Sequence, residues 1–277
     1  MGGIVQTGIT LVLPARYSLI PLLLVSLHTV TSTLIEVYSP SAWKKGQGAG
    51  IITKTVSAQF PKESYNSPDP ADKSDDKSPF SSTPADHGIV VLHLGVRFNH
   101  PLGVLSPMGK EVAEASAACN KRVMAYIDDK DGSKDDFGCL GMTAWQGTER
   151  ESNNTMLTVY YFRDIEGLNR FAHDEVHRKA WDFYKQEFCK RLGYTHIGVF
   201  HETFYAPPEM YETIYMNIQP TMLGLATMQV FNEEKGKREW VSPLVDGKHP
   251  RLRSQWARMG KNVKGDGYEK DDGGDEY

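Results

Sequence analysis

The stretch GIVVLHLGVRFN, at residues 88–99, determines how the rest of the sequence is interpreted. Its side chains alternate between an apolar set and a mixed set, which is the period-two pattern of a strand with one buried face. The apolar set is Val90, Leu92, Leu94, Val96 and Phe98, and the mixed set is Ile89, Val91, His93, Gly95 and Arg97. We therefore expect a strand that packs one face against a core and presents polar groups on the other.

The segments after this strand follow the order helix, strand, strand, helix, strand. Apolar residues recur at helical spacing in both helices, and β-branched and aromatic residues dominate the strands. The predicted elements are a helix at 108–127, a hairpin formed by 137–146 and 156–162, a long helix at 165–191 capped by Asp164, and a last strand at 195–205. The sequence therefore predicts a βαββαβ order.

This order predicts an α+β fold, with a ferredoxin-like βαββαβ unit of the dimeric α+β barrel type. In such a unit two helices cover one face of a four-stranded antiparallel sheet, and the other face needs a different cover. Ferredoxin-like units commonly pair sheet to sheet. We therefore expect either a homodimer or coverage of the second face by residues 211–229.

The N-terminal residues 1–38 are apolar, and Arg16 is their only charged side chain before Glu36. The uncharged run at 17–35 is long enough to cross a bilayer, because about 20 helical residues span a hydrocarbon core of roughly 30 Å. We expect a membrane-anchor helix, and a cleaved signal peptide is the alternative that the same pattern allows. Pro21 and several Ser and Thr residues leave a shallow interfacial anchor open.

The basic residues after this run suggest its orientation. Lys44 and Lys45 follow the apolar segment, and positive charge is enriched on the cytosolic side of membrane proteins. The expectation is a single-pass protein of the endoplasmic reticulum membrane with a cytosolic catalytic domain.

Composition divides the remaining chain into a linker, a domain and a tail. Residues 39–86 are rich in Ser, Pro, Asp and Lys and are expected to form a disordered linker. The ferredoxin-like domain is then expected at 87–230, followed by a flexible charged tail at 231–277. The net charge is −4 and the basic residues are scattered, so no nucleic-acid partner is expected. The three cysteines lack metal-binding or disulfide spacing and predict unpaired thiols.

The segment HDEVH, at residues 173–177, places two histidines four residues apart on a helix. The spacing suits a zinc pair, but Asp174 stands where zinc proteases have Glu and no third ligand follows at a recognisable spacing. We expect no metal. We prefer a hypothesis in which His177 and Trp181 line a cavity beneath the sheet, and the alternative is that His177 is a hydrogen-bonded helix residue beside the core.

The last predicted strand carries polar groups within an apolar run. Alternation directs His201, Thr203 and Tyr205 to one face and Glu202 and Phe204 to the other. Such groups are costly to bury unless they are paired or used. The electrostatic partner expected for Glu202 or for Glu212 is Arg97, either as a structural salt bridge or as part of a substrate site.

Four segments together resemble a known family. They are GVRFN at 95–99, YYFRDIEGLNRFAHDEVHRKAW at 160–181, HETFY at 201–205 and YETIYMNIQPTMLGLA at 211–226. They are similar to the bacterial and fungal family of monooxygenase-like proteins with the motifs H-E-T-Y and Y-E-x-I-Y-x-N. Fungal members resemble antibiotic-biosynthesis-type monooxygenases of polyketide and terpenoid pathways. Phe204 departs from the family motif, which has Tyr at that position.

The resemblance implies a monooxygenase of secondary-metabolite biosynthesis that oxidises a conjugated hydrophobic small molecule with O2 and no other cofactor. The residues expected to catalyse the reaction are His177 as the general base, with Arg97 and Asn217 holding an oxyanion. The residues expected to bind substrate are Trp145, Tyr161, Trp181, His201, Glu202 and Tyr215.

Two alternatives remain open at this point. The first is a heme enzyme resembling aldoxime dehydratases or peroxidases, with His177 or His201 as the axial ligand. The second is a membrane-tethered ligand-binding module without catalysis.

Overall fold

The computed structural model describes residues 7–8, 11–12, 14, 17–62, 80–81, 83–125, 137–151, 154–232 and 235–261. The chain divides into two units, residues 1–52 and residues 53–277. The first unit contains α1 (Ile20–Tyr38) and a short helix, α2 (Pro40–Lys45). No residue of α1 is buried, and among the described residues it is the helix long and apolar enough to cross a membrane. A signal sequence has the same properties.

The second unit is built around a four-stranded antiparallel sheet. Its strands are β2 (Ile89–Phe98), β3 (Cys139–Gln146), β4 (Thr155–Phe162) and β5 (Ile197–Ala206), in the spatial order β3, β4, β2, β5. A helix, α3 (Gly109–Met124), connects β2 to β3, and a helical segment connects β4 to β5. This order confirms the predicted α+β class and the ferredoxin-like unit. The sheet does not close into a barrel.

The second helical segment is interrupted where one long helix was predicted. It consists of α4 (Ile165–Ala172), α5 (Glu175–Asp182) and a π-helix (Phe183–Arg191). The break occurs because the Asp174 side chain accepts a hydrogen bond from the Val176 N–H and starts a new helix, as N-cap residues do. The side chains after the break therefore face different directions from those that an uninterrupted helix would give.

The helices cover one face of the sheet and enclose the main core. The apolar set of β2 faces them, as the alternation predicted, and packs with residues of β4 and of the helices. The buried side chains of this layer include Val90, Leu92, Phe98, Val112, Cys119, Val123, Tyr160, Phe162, Phe171 and Phe188. No disulfide joins the three cysteines, as predicted.

Parts of the predicted linker and tail are folded, which corrects the domain boundaries. A strand from the linker, β1 (Val56–Ala58), pairs with a strand from the tail, β8 (Leu244–Asp246). The tail also forms β7 (Lys237–Val241), which pairs with β6 (Met228–Asn232), and a short helix, α6 (Gln255–Arg258). Short apolar clusters within these polar segments are buried, among them Val56, Phe60, Phe80 and Leu252. Residues 63–79 and 262–277, also assigned to the linker and tail, lie outside the described residues.

The sheet surface opposite the helices, called here the open face, is covered in part. It carries Ile89, Val91, His93, Gly95 and Arg97 of β2, with the side chains paired to them on the neighbouring strands. At the Ile89 end, residues of the expected covering segment 211–229 pack on the sheet together with Ala58 and Phe60. The residues from that segment include Tyr211, Tyr215, Leu223, Ala226 and Met228. The cover continues over β3 and β4, where the Met222 N–H donates a hydrogen bond of 3.0 Å to Thr143 and Val159 is only 2% exposed. The side chains of β5 on this face, Phe200, Glu202 and Phe204, are exposed.

Candidate functional site

The nine predicted site residues are divided between the two sides of the sheet. Arg97, Trp145, Tyr161 and Glu202 lie on the open face, because they occupy its positions in the strand register. Tyr215 and Asn217 belong to the segment that partly covers this face. His177 and Trp181 lie on the helical side, and His201 belongs to the helix-facing set of β5.

The predicted catalytic group of His177, Arg97 and Asn217 is therefore not brought together. The sheet separates His177 from Arg97, because α5 packs on the face opposite to the one that carries Arg97. Asn217 is exposed and has φ +52°, in the left-handed region, on the covering segment. This correction follows from the tertiary arrangement of the helices, which the local pattern around His177 does not contain.

His177 has the contacts of a structural helix residue. It is half-buried, its Nδ1 lies 3.0 Å from the carbonyl oxygen of Ala172, and its ring centroid is 5.3 Å from that of Phe171. Trp181 is exposed and stacks on Tyr184, with ring centroids 5.8 Å apart. His173 is exposed and its Nδ1 lies 2.8 Å from the carbonyl oxygen of Asn169. These contacts fit the alternative in which His177 is a hydrogen-bonded residue beside the core.

The open face carries a histidine, His93, that lies opposite a carboxylate. Cross-strand register places His93 directly opposite Glu202 on β5 and opposite Val159 on β4. Its Nδ1 is 4.0 Å from the Glu202 Oε2, and its ring meets Phe204 edge-on at 5.5 Å. Catalytic contacts are often loose in the absence of substrate, so this spacing is compatible with a base oriented by a carboxylate.

Sequence reasoning placed His93 on the mixed face but did not select it. Its pairing with Glu202 depends on the register between β2 and β5, which are far apart in the chain. The signal that could have found it is the combination of His93 at the centre of one predicted strand and Glu202 at the centre of another.

Exposed aromatic side chains lie on the same face as the His93 and Glu202 pair, with Phe204 in contact with the His93 ring. Phe200 lies across β2 because Gly95 has no side chain, and a Cβ at Gly95 would overlap the Phe200 ring. Phe200, Phe204 and Trp145 are between 44 and 51% exposed, which is high for side chains of this size. The pair thus lies beside an exposed aromatic surface, and a second surface packed on these rings would exclude water from it.

The hydrogen-bond partner of Arg97 is neither of the two carboxylates predicted for it, Glu202 and Glu212. Its Nη1 donates a hydrogen bond to the carbonyl oxygen of Glu151. Glu202 is opposite His93, and Glu212 instead pairs with Arg258, with 2.6 Å between Oε2 and Nε. Arg97 lines a cleft of about 440 Å³ next to Phe200, together with Asn99, Glu151, Thr155, Gly198 and Val199.

Tyr161 and Tyr215, both predicted to bind substrate, contact the same backbone turn at residues 223–224, at the covered end of the open face. The Tyr215 hydroxyl accepts a hydrogen bond of 3.0 Å from the Gly224 N–H, and Tyr161 interacts with the backbone of Leu223. Burial raises the pKa of Tyr215 to about 12 and also raises the pKa of Tyr161. Both phenols are therefore protonated at neutral pH and hold the covering turn against the sheet.

The fold and this site define a class of protein: a ferredoxin-like α+β enzyme domain with an aromatic, histidine-containing sheet face. The Monooxygenase af470-like family model matches residues 89–223. A curated relative, Monooxygenase af470 of Aspergillus fumigatus, is 34% identical over 263 residues, which cover 95% of this chain and 86% of the relative. The chain belongs to this family, and it is an oxidoreductase of the monooxygenase type.

Solved structures with a related arrangement have low sequence identity. An aldoxime dehydratase in complex with butyraldoxime is 13% identical, with 48% of this chain and 36% of that chain covered and a TM-score of 0.36. A dimeric ferredoxin-like protein from an uncultured marine organism is 11% identical, with 42% of this chain and 93% of that chain covered and a TM-score of 0.28.

Proposed function

We propose that this monooxygenase acts in secondary metabolism and oxidises a conjugated, acidic, hydrophobic small molecule with O2, without a bound cofactor, on the open face. The observation that carries the proposal is the pairing of His93 with Glu202 among exposed aromatic side chains. The polyketide or terpenoid origin of the substrate rests on the family resemblance of the quoted motifs.

The proposed reaction begins with proton transfer. His93 removes a proton from an acidic C–H or O–H group of the substrate, and Glu202 stabilises the imidazolium that forms. Arg97 lies four residues further along the same face of β2, roughly 13 Å at 3.3 Å per residue. It would hold an anionic group at the far end of an extended substrate.

The oxidation then needs only O2 and the delocalised carbanion. The carbanion gives one electron to O2, and the two radicals combine to form a peroxide anion, which takes the proton held by His93 to become a hydroperoxide. Loss of water from the hydroperoxide leaves a carbonyl, so that RH2 and O2 give R=O and H2O. One oxygen atom enters the product, and the proton held by His93 leaves with the water.

We propose that two copies pair through their open faces. The uncovered part of this face exposes Phe200, Phe204 and Trp145, and the covering segment adds exposed Ile214 and Met216. A second copy would bury this patch and exclude water from the His93 and Glu202 pair. The exposed aromatic surface is the support for this proposal.

We propose that α1 anchors the chain in the endoplasmic reticulum membrane as a single-pass helix, with the catalytic domain in the cytosol. Its length, its apolar composition and the following lysines support this. Asn153 begins an Asn-Asn-Thr glycosylation sequon and lies outside the described residues. A glycan on Asn153 in cells would contradict the cytosolic orientation.

The cofactor proposal is tested on the purified full-length protein with two measurements. The absorbance spectrum should lack a Soret band, and O2 uptake should begin when a fused-ring acidic phenol or enol is added. A Soret band that disappears in His177→Ala or His201→Ala would assign the heme alternative instead. Absence of O2 uptake across a broad panel of such compounds would favour the ligand-binding module.

A further inference from the structure

A second cleft lies at the end of the sheet where β2 begins and β4 ends, away from His93 and Arg97. We propose that this end cleft is a binding site for a planar aromatic molecule that carries a carboxylate. The end cleft encloses about 460 Å³, and its lining includes Phe60, His87, Arg163, Phe231, Arg238 and Trp240.

The floor of the end cleft is apolar and buried. Phe60, Leu140 and Met228 are all less than 9% exposed and belong to one packed cluster. A wall is formed by the β6–β7 hairpin, where register pairs Gln229 with Trp240 and Phe231 with Arg238. Directly opposite residues of an antiparallel pair share a face, so the indole, the phenyl ring and a guanidinium point to the same side.

A histidine ring stacks on the floor of the end cleft. The His87 ring stacks on Phe60 with 5.0 Å between centroids and 16° between planes. Its Nδ1 is 2.6 Å from the Asp86 carboxylate, which fixes the ring in this stack. Flat walls of this kind accommodate a planar conjugated ligand better than a branched aliphatic one, because aromatic rings prefer offset or edge contacts with other rings.

The rim supplies the positive charge. Arg163 and Arg238 are exposed side chains of the cleft lining, whereas no Asp or Glu is among its lining residues. Arg163 approaches Asp164 at 3.5 Å, but both side chains are more than one-third exposed, and such a pair is weak. The overall charge of the chain is −4, so this cationic rim is a local feature. Guanidinium groups bind carboxylates with good geometry, which gives the expected ligand its acidic group.

A neighbouring cleft extends the site along the sheet end. It encloses about 440 Å³ and shares His87 and Arg163 with the end cleft. Asp164 and Glu166 also line it, so the carboxylate of the ligand belongs beside Arg238 and only the neutral rings extend into this space. The Tyr205 ring reaches this space because Gly88 leaves room for it, since a Cβ at Gly88 would lie 2.6 Å from the Tyr205 hydroxyl. A ligand with two or three fused rings could therefore extend from the hairpin wall towards Tyr205.

The test is calorimetric titration of the full chain in lipid nanodiscs, with empty nanodiscs subtracted, using naphthoate and its neutral counterpart naphthamide. Naphthoate should bind more tightly than naphthamide. Arg238→Gln should weaken naphthoate binding about tenfold, because it removes a charge-assisted hydrogen bond, and should leave naphthamide binding unchanged. Lys237→Gln is the matched control, because it removes a charge one residue away on the other side of β7.

Phe231→Ala provides an independent variant, because Phe231 is 42% exposed and its removal spares the core. It should weaken both probes by a similar factor. Equal naphthoate affinities in wild type and Arg238→Gln would overturn the proposal. If Arg97→Gln weakened naphthoate binding and Arg238→Gln did not, the probe would be binding at the open face, which would also overturn it. The titration needs no turnover, so its result is independent of the oxygenase reaction proposed for the open face.

Discussion

Replacing Arg258 tests whether the C-terminal segment is part of the folded domain. Arg258 is 6% exposed, and its Nε donates to the Glu212 Oε2 at 2.6 Å. Its Nη1 also donates to the carbonyl oxygen of Leu252 at 3.3 Å. The Arg258→Ala variant leaves the Glu212 carboxylate, whose side chain is only 24% exposed, without its cation.

The expected loss is about 3 kcal/mol, the lower end of the cost of breaking a buried ion pair by removing one partner. For a folded unit of this size, 1 kcal/mol lowers the melting temperature by about 2–4 °C, so Arg258→Ala should melt roughly 6–12 °C below wild type. Thermal unfolding followed by circular dichroism measures the shift.

Arg253→Ala is the matched control, because Arg253 is exposed in the same segment and its loss should change stability by less than about 0.5 kcal/mol. The double variant Glu212→Gln with Arg258→Met should recover part of the loss, since neither charge is then left unpaired. Equal melting temperatures for Arg258→Ala and Arg253→Ala would show that the tail contributes nothing to the fold.

Three further changes have definite expectations. Gly167→Ala should lower the free energy of unfolding by about 2 kcal/mol in denaturant titrations, because its Cβ would overlap a backbone carbonyl just before β3; unchanged stability would refute this packing. Burial opposes ionisation of Asp174, but hydrogen bonds led by Arg122 lower its pKa below 3.8. A carboxyl group whose pKa is lowered by folding stabilises the folded state above about the pKa of the unfolded state. This stabilisation is lost as the pH falls through the lower pKa of the folded state. Arg122→Gln should therefore destabilise the protein at neutral pH, with a difference from wild type that shrinks on acidification; a constant difference would contradict it. Phe200→Asp should convert a dimer to a monomer in sedimentation, whereas Leu105→Asp, at an equally apolar exposed turn, should not.

The elements of the sheet were predictable because their signals are local. The alternation in residues 89–98 separates the two faces of β2 correctly, and the spacing of apolar residues in α3 gives its buried side. The break at Asp174 was not predicted, although the Asp N-cap is a local signal, because the apolar spacing continues across it. The predicted site is misplaced for a different reason, because the helix that carries His177 packs on the face of the sheet opposite to Arg97.

The candidate site was only partly predictable because it depends on long-range pairing. The His93 and Glu202 pair is set by the register of β2 with β5, two strands that are about 100 residues apart in the chain. The linker and tail were assigned from average composition, which hides small apolar clusters such as Val56 and Leu252. Burial of these clusters offsets the conformational entropy lost by the surrounding residues only when the two segments pair as β1 and β8.

The assignment of His93 as the base is tested by comparing O2 uptake of purified His93→Ala and His177→Ala with wild type, each normalised to folded protein. Loss of a general base lowers turnover by roughly 10²- to 10⁴-fold. We expect a loss of that size for His93→Ala with an unchanged melting temperature. For His177→Ala we expect a lower melting temperature with nearly normal turnover per folded molecule. Retained turnover in His93→Ala together with its loss in His177→Ala would contradict the open face as the site of the reaction.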